Sequence, residues 1–287
     1  MPAALAAILP EPGRLEAMFG PFRELWGVRH GAMDTAILFG LLLLRWVAIV
    51  QLCPFFGGRL VPGPVKIGLA MLMAWFSAPW LSQQSPVPLG MGPLRFSLAA
   101  VHELAIGLLI GFGSSLVFLA ATMGGEFLDS TRGTTAANML VPQLQIQTSL
   151  LGDFFFQLFV VLYMLWGGHR FFLSAVMDSY ALFPPTGGMP AAALVHESFL
   201  RMAVMMFGIM IKVVAPAILV LLVVEVILGV ANRMAPQLDV FFMGLATKPA
   251  IGLLVVALSL YGLLGAAPEI FRVFQGWMAS WLGPAHG

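Results

Sequence analysis

Charge is the scarcest ingredient of this sequence. Asp, Glu, Lys and Arg make up 9% of its 287 residues, where a soluble domain carries about 25%. Hydrophobic residues make up 60%, so water is excluded as the main solvent of the fold. Fourteen basic against thirteen acidic residues leave a net charge of +1, which excludes the basic field that nucleic-acid binding needs. A single cysteine, Cys53, excludes an intramolecular disulfide, and no zinc-type Cys/His spacing occurs. The nucleotide loop G-x-x-x-x-G-K-[ST] is missing. His102-Glu103 and His196-Glu197 each lack the second histidine of H-E-x-x-H, because Ile106 and Leu200 occupy its place. No catalytic residue, metal ligand or cofactor is therefore assigned. A cleaved signal is not expected either, since Glu11, Pro12, Arg14 and Glu16 interrupt the short apolar run Leu5–Leu9.

What the sequence has in abundance is long apolar runs. A membrane-crossing helix needs roughly 20 mostly apolar residues, and six stretches approach this: Thr35–Phe56, Val65–Leu81, Leu98–Met123, Leu150–Gly167, Phe199–Val230 and Ala246–Leu264. The expected fold is all-α and membrane-associated, with about six apolar helical stretches. Pro/Gly/Ser-rich connectors separate them: Gly57–Pro64, Ser82–Pro93, Gly124–Gln147, Gly168–Glu197 and Ala231–Gly244. Residues 1–34 read as an amphipathic segment, with Leu15, Met18, Phe19, Phe22 and Trp26 at helical spacing among charged residues. Residues 35–265 read as one helical domain and 266–287 as a C-terminal tail. The fifth stretch is too long for one straight crossing, and Pro216 predicts a kink near Lys212–Pro216. Alternating assignment of the connectors puts seven Lys/Arg on the N-terminal side and five on the other. That bias is weak for a polytopic membrane protein, and it hints that protein partners, more than lipid, surround the chain.

Arg45, Glu103, Lys212 and Glu225 interrupt the apolar stretches. A charge at bilayer depth costs about 2.5–3.5 kcal/mol on insertion scales, so each is expected to face protein or water. Two readings fit: a proton or ion pathway, as in a small-solute transporter, or pairing with one another and with partner subunits. Lys212 and Glu225 stand about 140° apart around a straight helix and should not share a face. Gly107 and Gly111 form a small-x-x-x-small pair that lets helices approach closely. The competing reading of this region, an intramembrane serine nucleophile at Ser114 or Ser115 served by His102, rests on a faint pattern. Met202, Met205, Met206 and Met210 recur at helical spacing and read as packing or as a compliant seal. Gly124–Gln147 is the most polar connector. It reads either as an exposed loop or as a segment facing a water-filled space.

Three motifs carry a resemblance. Pro54-Phe-Phe-Gly-Gly-Arg59-Leu-Val-Pro62, His102-Glu103-Leu-Ala-Ile-Gly107-Leu-Leu-Ile-Gly111-Phe and Asn232-Arg233-Met-Ala-Pro236-Gln237-Leu-Asp239-Val-Phe, the last followed by a helix start at Lys248-Pro249, stand in the order and spacing of the FliR/SctT family. That family, whose members are also called SpaR, YscT and EscT, comprises export-apparatus subunits of type III secretion systems. Gly125-Glu126-Phe-Leu-Asp129-Ser-Thr-Arg132-Gly133 resembles the injectisome branch more than the flagellar one, although Ser130 and Thr131 depart from its common Asn-Gln. The resemblance implies that these stretches form kinked hairpins in a hetero-oligomeric helical pore assembly at the bacterial inner membrane, partly on its periplasmic side. Its partners would be R-type (FliP/SctR), S-type (FliQ/SctS), U-type (FlhB/SctU) and V-type (FlhA/SctV) subunits, membrane lipid, and unfolded proteins in transit. By position it implies a pore plug or gate at Thr131, Arg132, Gly133, Thr134, Thr135, Asn138, Pro142, Gln143, Gln145 and Gln147. Polar contacts to subunits or within the membrane are expected from Arg45, Arg59, Glu103, Glu126, Asp129, Lys212, Glu225, Arg233, Gln237, Asp239 and Lys248. No enzymatic activity is implied.

Overall fold

A computed structural model describes residues 32–56, 61–84, 92–132, 149–185, 187, 192–235 and 240–282. Everything described is helix or short connection. The helices are α1 (Ala32–Leu52), α2 (Gly63–Gln84), α3 (Pro93–Thr131), α4 (Leu150–Leu165), α5 (Gly168–Leu182), α6 (Ala192–Met234) and α7 (Val240–Leu282), with a 3-10 turn at Pro54–Phe56. Five of them (α1, α2, α3, α6 and α7) are long and apolar enough to cross a membrane, and the broken pair α4–α5 makes a sixth if counted as one span. At about 1.5 Å per residue, the 39 residues of α3 reach about 58 Å, and the 43 residues of α6 and of α7 about 65 Å each. A hydrocarbon core is about 30 Å thick, so each of these three extends well beyond one.

The chain forms two compact units. One contains residues 1–115, 170–196 and 279–287, the other 116–169 and 197–278. In the first, α2 turns a stripe of small side chains inward, with Ala70, Ala74 and Ala78 all buried, and α1 packs against it. Trp46 of α1 donates its indole N–H to Ser77 Oγ at 2.9 Å, and Phe39 meets Trp75 edge to face. The α1–α3 contact is closer still. A Cβ placed on Gly107 would stand 2.6 Å from the Arg45 carbonyl oxygen and 2.8 Å from Ala48 Cβ, and one on Gly111 would stand 3.0 Å from Leu52 Cβ. The small-x-x-x-small pair is thus a helix-packing seam.

The second unit is organised by aromatic rings. Phe118 of α3 contacts Phe156, Phe159 and Tyr163 of α4, and Tyr163 continues the cluster to Phe271 and Phe274 of α7. Met202, Met206 and Met210 of α6 are buried, while Met205 is exposed, so three of the four thioethers fill the core. Between α4 and α5 the chain breaks at Trp166–Gly167, where Gly167 adopts φ +71°, a left-handed conformation that glycine tolerates at no steric cost.

Several boundaries differ from the sequence reading. Residues 124–131, read as connector, form the last two turns of α3. Their hydroxyls do not compete with the helix, because Ser130 donates to the Phe127 carbonyl at 2.8 Å and Thr131 to that of Leu128 at 2.9 Å. Residues 168–182, also read as connector, form α5, whose buried Phe172, Ala175, Val176, Ser179 and Tyr180 recur at helical spacing. The last helix starts at Val240 rather than at Lys248-Pro249, and it runs beyond Leu264 to Leu282 with Ala267, Ile270, Phe274 and Met278 buried. Pro216 lies inside α6, which runs without interruption from Ala192 to Met234. The amphipathic segment expected over 1–34 falls, up to residue 31, outside the described residues.

Replacing Gly107 by alanine or leucine should destabilise the protein by about 1–3 kcal/mol through overpacking. Gly40→Ala, at a position where a Cβ meets nothing within 4 Å, should be neutral. Thermal unfolding of the purified variants in one detergent checks both.

Candidate functional site

Two polar junctions stand out in this apolar frame. The first is built on Arg45, whose side chain is fully buried together with that of Glu103. Arg45 Nε donates to Glu103 Oε2 at 2.7 Å and an Nη2–H donates to Oε1 at 2.7 Å, the two-pronged geometry in which a guanidinium matches a carboxylate. A second Nη2–H bond goes to the Phe183 carbonyl at 2.7 Å, and Nη1 donates to Ser179 Oγ at 3.0 Å. Four of the five N–H donors of the side chain are thus used. The Phe183 carbonyl lies just past the end of α5, where a cation also meets the negative end of the helix dipole. The Tyr180 ring lies 4.0 Å below the guanidinium carbon. His102 is buried beside the pair, its Nδ1 3.6 Å from Glu103 Oε1. One charged pair therefore ties α1, α3 and α5 together.

The second junction sits at the end of α3. The Asp129 carboxylate accepts from Ser149 Oγ at 2.6 Å and from the Leu151 backbone N–H at 2.9 Å. Ser149 caps α4 by accepting from the Gly152 N–H at 2.9 Å. The helices cross so closely here that a Cβ on Gly125 would collide with the Leu151 carbonyl. Arg132 Nη1 stands 3.5 Å from Asp129 Oδ1, and the stem of Arg132 lies over Gly252 of α7, where a Cβ would collide with it. Residues 132 and 149, which bracket the polar stretch 133–148, are in this way held together at one carboxylate.

Other expected residues fall into place differently. Glu225 and Lys212 stay apart, as their spacing predicts, and Glu225 pairs with Lys248 of α7 at 2.7 Å. Lys212, Glu126 and Arg233 are exposed, with Arg233 in the last turn of α6. Arg59, Gln237, Asp239, Gly133, Thr134, Thr135, Asn138, Pro142, Gln143, Gln145 and Gln147 lie outside the described residues. Ser114 and Ser115 donate to the Gly111 and Phe112 carbonyls at 2.7 Å each. Ser114 is twelve residues along α3 from His102, about 18 Å, so the two do not form a nucleophile and base. Cys53 is buried, and burial pushes its thiol well above the usual range, which disfavours thiolate chemistry. Among the described residues no three His, Cys, Asp or Glu side chains converge as a metal site would require.

Sequence reasoning missed Ser149, Ser179, Tyr180 and Gly252 as members of these junctions. Ser149 carried a visible signal, a serine immediately before an apolar run. The others contact partners distant in sequence and gave none.

The chain's relatives agree on one class of protein. Residues 36–273 match the family model described as "Bacterial export proteins, family 1". The chain is 29% identical over 236 residues to the flagellar biosynthetic protein FliR of Caulobacter vibrioides, covering 81% of this chain and 92% of that protein. It is 28% identical to the FliR of Escherichia coli over 75% of this chain and 81% of that one. It is 27% identical to the secretion system apparatus protein SsaT of Salmonella typhimurium, over 86% and 97% respectively.

Removing one member of the first junction should cost about 3–5 kcal/mol, because the survivor is left as an unpaired buried charge. Replacing both by apolar residues should cost less than the sum of the two single losses. Thermal unfolding of Arg45→Met, Glu103→Leu and the double variant tests this. Additive losses would refute the coupling.

Proposed function

The chain belongs to the family of bacterial export proteins, family 1, and from that premise we propose that it helps line and gate the conduit through which a type III export apparatus moves unfolded proteins across the inner membrane. Membership makes it an export-apparatus protein, and its apolar helices suit the inner membrane. The carrying observation is the Asp129 junction. One carboxylate binds both the end of α3 and the start of α4, so the polar stretch 133–148 leaves and re-enters the helical frame at a single fixed point. A gate needs such an anchor: the element that closes a passage must be held by the wall that it closes.

Helix length supports assembly with unlike subunits, namely the R-, S-, U- and V-type proteins. Three helices exceed the hydrocarbon core about twofold, so part of each lies outside lipid, in this reading on the periplasmic side and against neighbouring subunits. The transporter alternative loses two of its three coupling groups, because Glu103 and Glu225 are engaged by Arg45 and Lys248, and Lys212 alone is left for that role.

Within the family we favour the injectisome branch. The pattern Gly125-Glu126-x-x-Asp129-x-x-Arg132-Gly133 supports it, and its Asp129 is the residue that makes the junction. The flagellar branch is the second reading, favoured by the relatives named FliR. A null mutant of the producing bacterium separates the two: loss of needle-type secretion with intact swimming supports the first reading, and the reverse supports the second.

Deleting residues 134–147 should raise ion leakage across the inner membrane, and Asp129→Ala should do so more weakly by loosening the anchor. Unchanged conductance in both, with wild-type amounts of assembled complex, would overturn the gate.

A further inference from the structure

Two arginines are enclosed by the helices, and they are held in opposite ways. Arg45 is fixed by four hydrogen bonds of 2.7–3.0 Å. Arg132, whose side chain is only 12% exposed, makes one polar contact among the described residues, from Nη1 to Asp129 Oδ1 at 3.5 Å. A charge-assisted bond is about 2.7–2.9 Å long, so this one is weak. Arg132 Nε is buried and has no hydrogen-bond partner, although buried donors are normally matched.

What holds Arg132 is shape. Its stem lies over Gly252 of α7, where an added Cβ would stand 2.8 Å from Arg132 Cγ and Cδ and closer still to Nε. Helix α7 offers no charge to keep it there. The acidic residue of α7, Glu269, stands roughly five turns further along the helix, and Lys248, one turn before Gly252, is a second cation, turned to Glu225 at 2.7 Å. The glycine notch therefore seats the arm without binding it. Asp129 is fixed through its other oxygen to Ser149 and Leu151, so the base of the arm is firm and its tip is loose.

We infer that Gly252 is a positioning residue for the gate: it seats Arg132 against α7 in the closed state, and Arg132 has to leave that seat for the conduit to open. The inference rests on the reading of 133–148 as the gating stretch, which begins at the residue after Arg132. A weak seat is what a moving part needs. An arm tied as Arg45 is tied would strand a buried carboxylate each time it moved. Arg132 leaves behind a glycine, and Asp129 keeps its bonds to Ser149 and Leu151. Its unmatched N–H groups gain partners when the arm swings into water or onto a peptide carbonyl. The two positions of the arm therefore lie close in free energy, and the fit at Gly252 sets the balance between them.

Gly252→Ala separates the seat from the fold. The three atoms nearest the new methyl all belong to the flexible Arg132 side chain, so the arm yields, while the helix gains from losing a glycine. The variant should unfold at or above the wild-type midpoint. In the assembled complex it should raise resting ion leakage about fivefold, equivalent to about 1 kcal/mol, and so should Arg132→Ala. A cysteine pair tests release directly. Arg132 Cγ lies 2.8 Å from a Cβ at position 252 and one bond of about 1.5 Å from its own Cβ, so the two Cβ positions are at most about 4.3 Å apart, within disulfide reach. Membranes carrying the complex with Arg132→Cys and Gly252→Cys together should leak when reduced. Oxidation should return leakage to the wild-type level and stop secretion, reductant should restore secretion, and neither single variant should respond. Unchanged leakage in Gly252→Ala at wild-type amounts of complex, a pair that fails to oxidise, or secretion that continues with the disulfide formed overturns the seat. If deletion of 134–147 raises leakage in the same membranes, the gate reading stands without the seat; if it does not, both fall.

Discussion

A guanidinium cannot be left bare in an apolar interior, and much of the first unit follows from how Arg45 is satisfied. Its two bonds to Glu103 set where α3 stands along α1. The glycine seam sets the same register independently, since Gly107 and Gly111 fit only where they face Arg45, Ala48 and Leu52. Sliding one helix by a turn would strand two charges and drive side chains into backbone at once. The third helix of the junction, α5, is held by its last turn, through Ser179, Tyr180 and the carbonyl of Phe183. Buried ion pairs add little net stability when weighed against apolar replacements, but they penalise wrong arrangements heavily. In an otherwise slippery interface of Leu, Ile and Ala, that penalty specifies the fold.

The second unit solves a different problem. Its aromatic cluster of Phe118, Phe159, Tyr163 and Phe274 joins α3, α4 and α7 without charge. One set of its polar groups meets where α3 ends and α4 begins, with Arg132 reaching from there to the Gly252 position of α7, and another pairs Glu225 of α6 with Lys248 of α7.

Much of this was legible beforehand. The long apolar runs identified α1, α2, α3 and α6, and the spacing of Gly107 and Gly111 identified a packing seam. The motifs carried the family. Other features were hidden for physical reasons. The end of α3 looked like a loop because its glycines and hydroxyl residues favour loops in general, and only the observed bonds from Ser130 and Thr131 back to their own helix remove that tendency. Helix α5 was obscured by the flanking glycines and prolines, although Phe172, Val176 and Tyr180 four residues apart marked its inner face. Helical spacing correctly kept Glu225 away from Lys212, but it could not reveal Lys248, because a contact between two helices depends on how they pack and not on spacing within either.

The length of α6 has a consequence for its placement in a membrane. The apolar span Val195–Met234 is about twice what a bilayer of about 30 Å accepts, and Lys212 divides it into two pieces that are each long enough for one crossing. A span of that length can sit across a bilayer in more than one register, so contacts from outside α6, such as Lys248 of α7 on Glu225, have to select one.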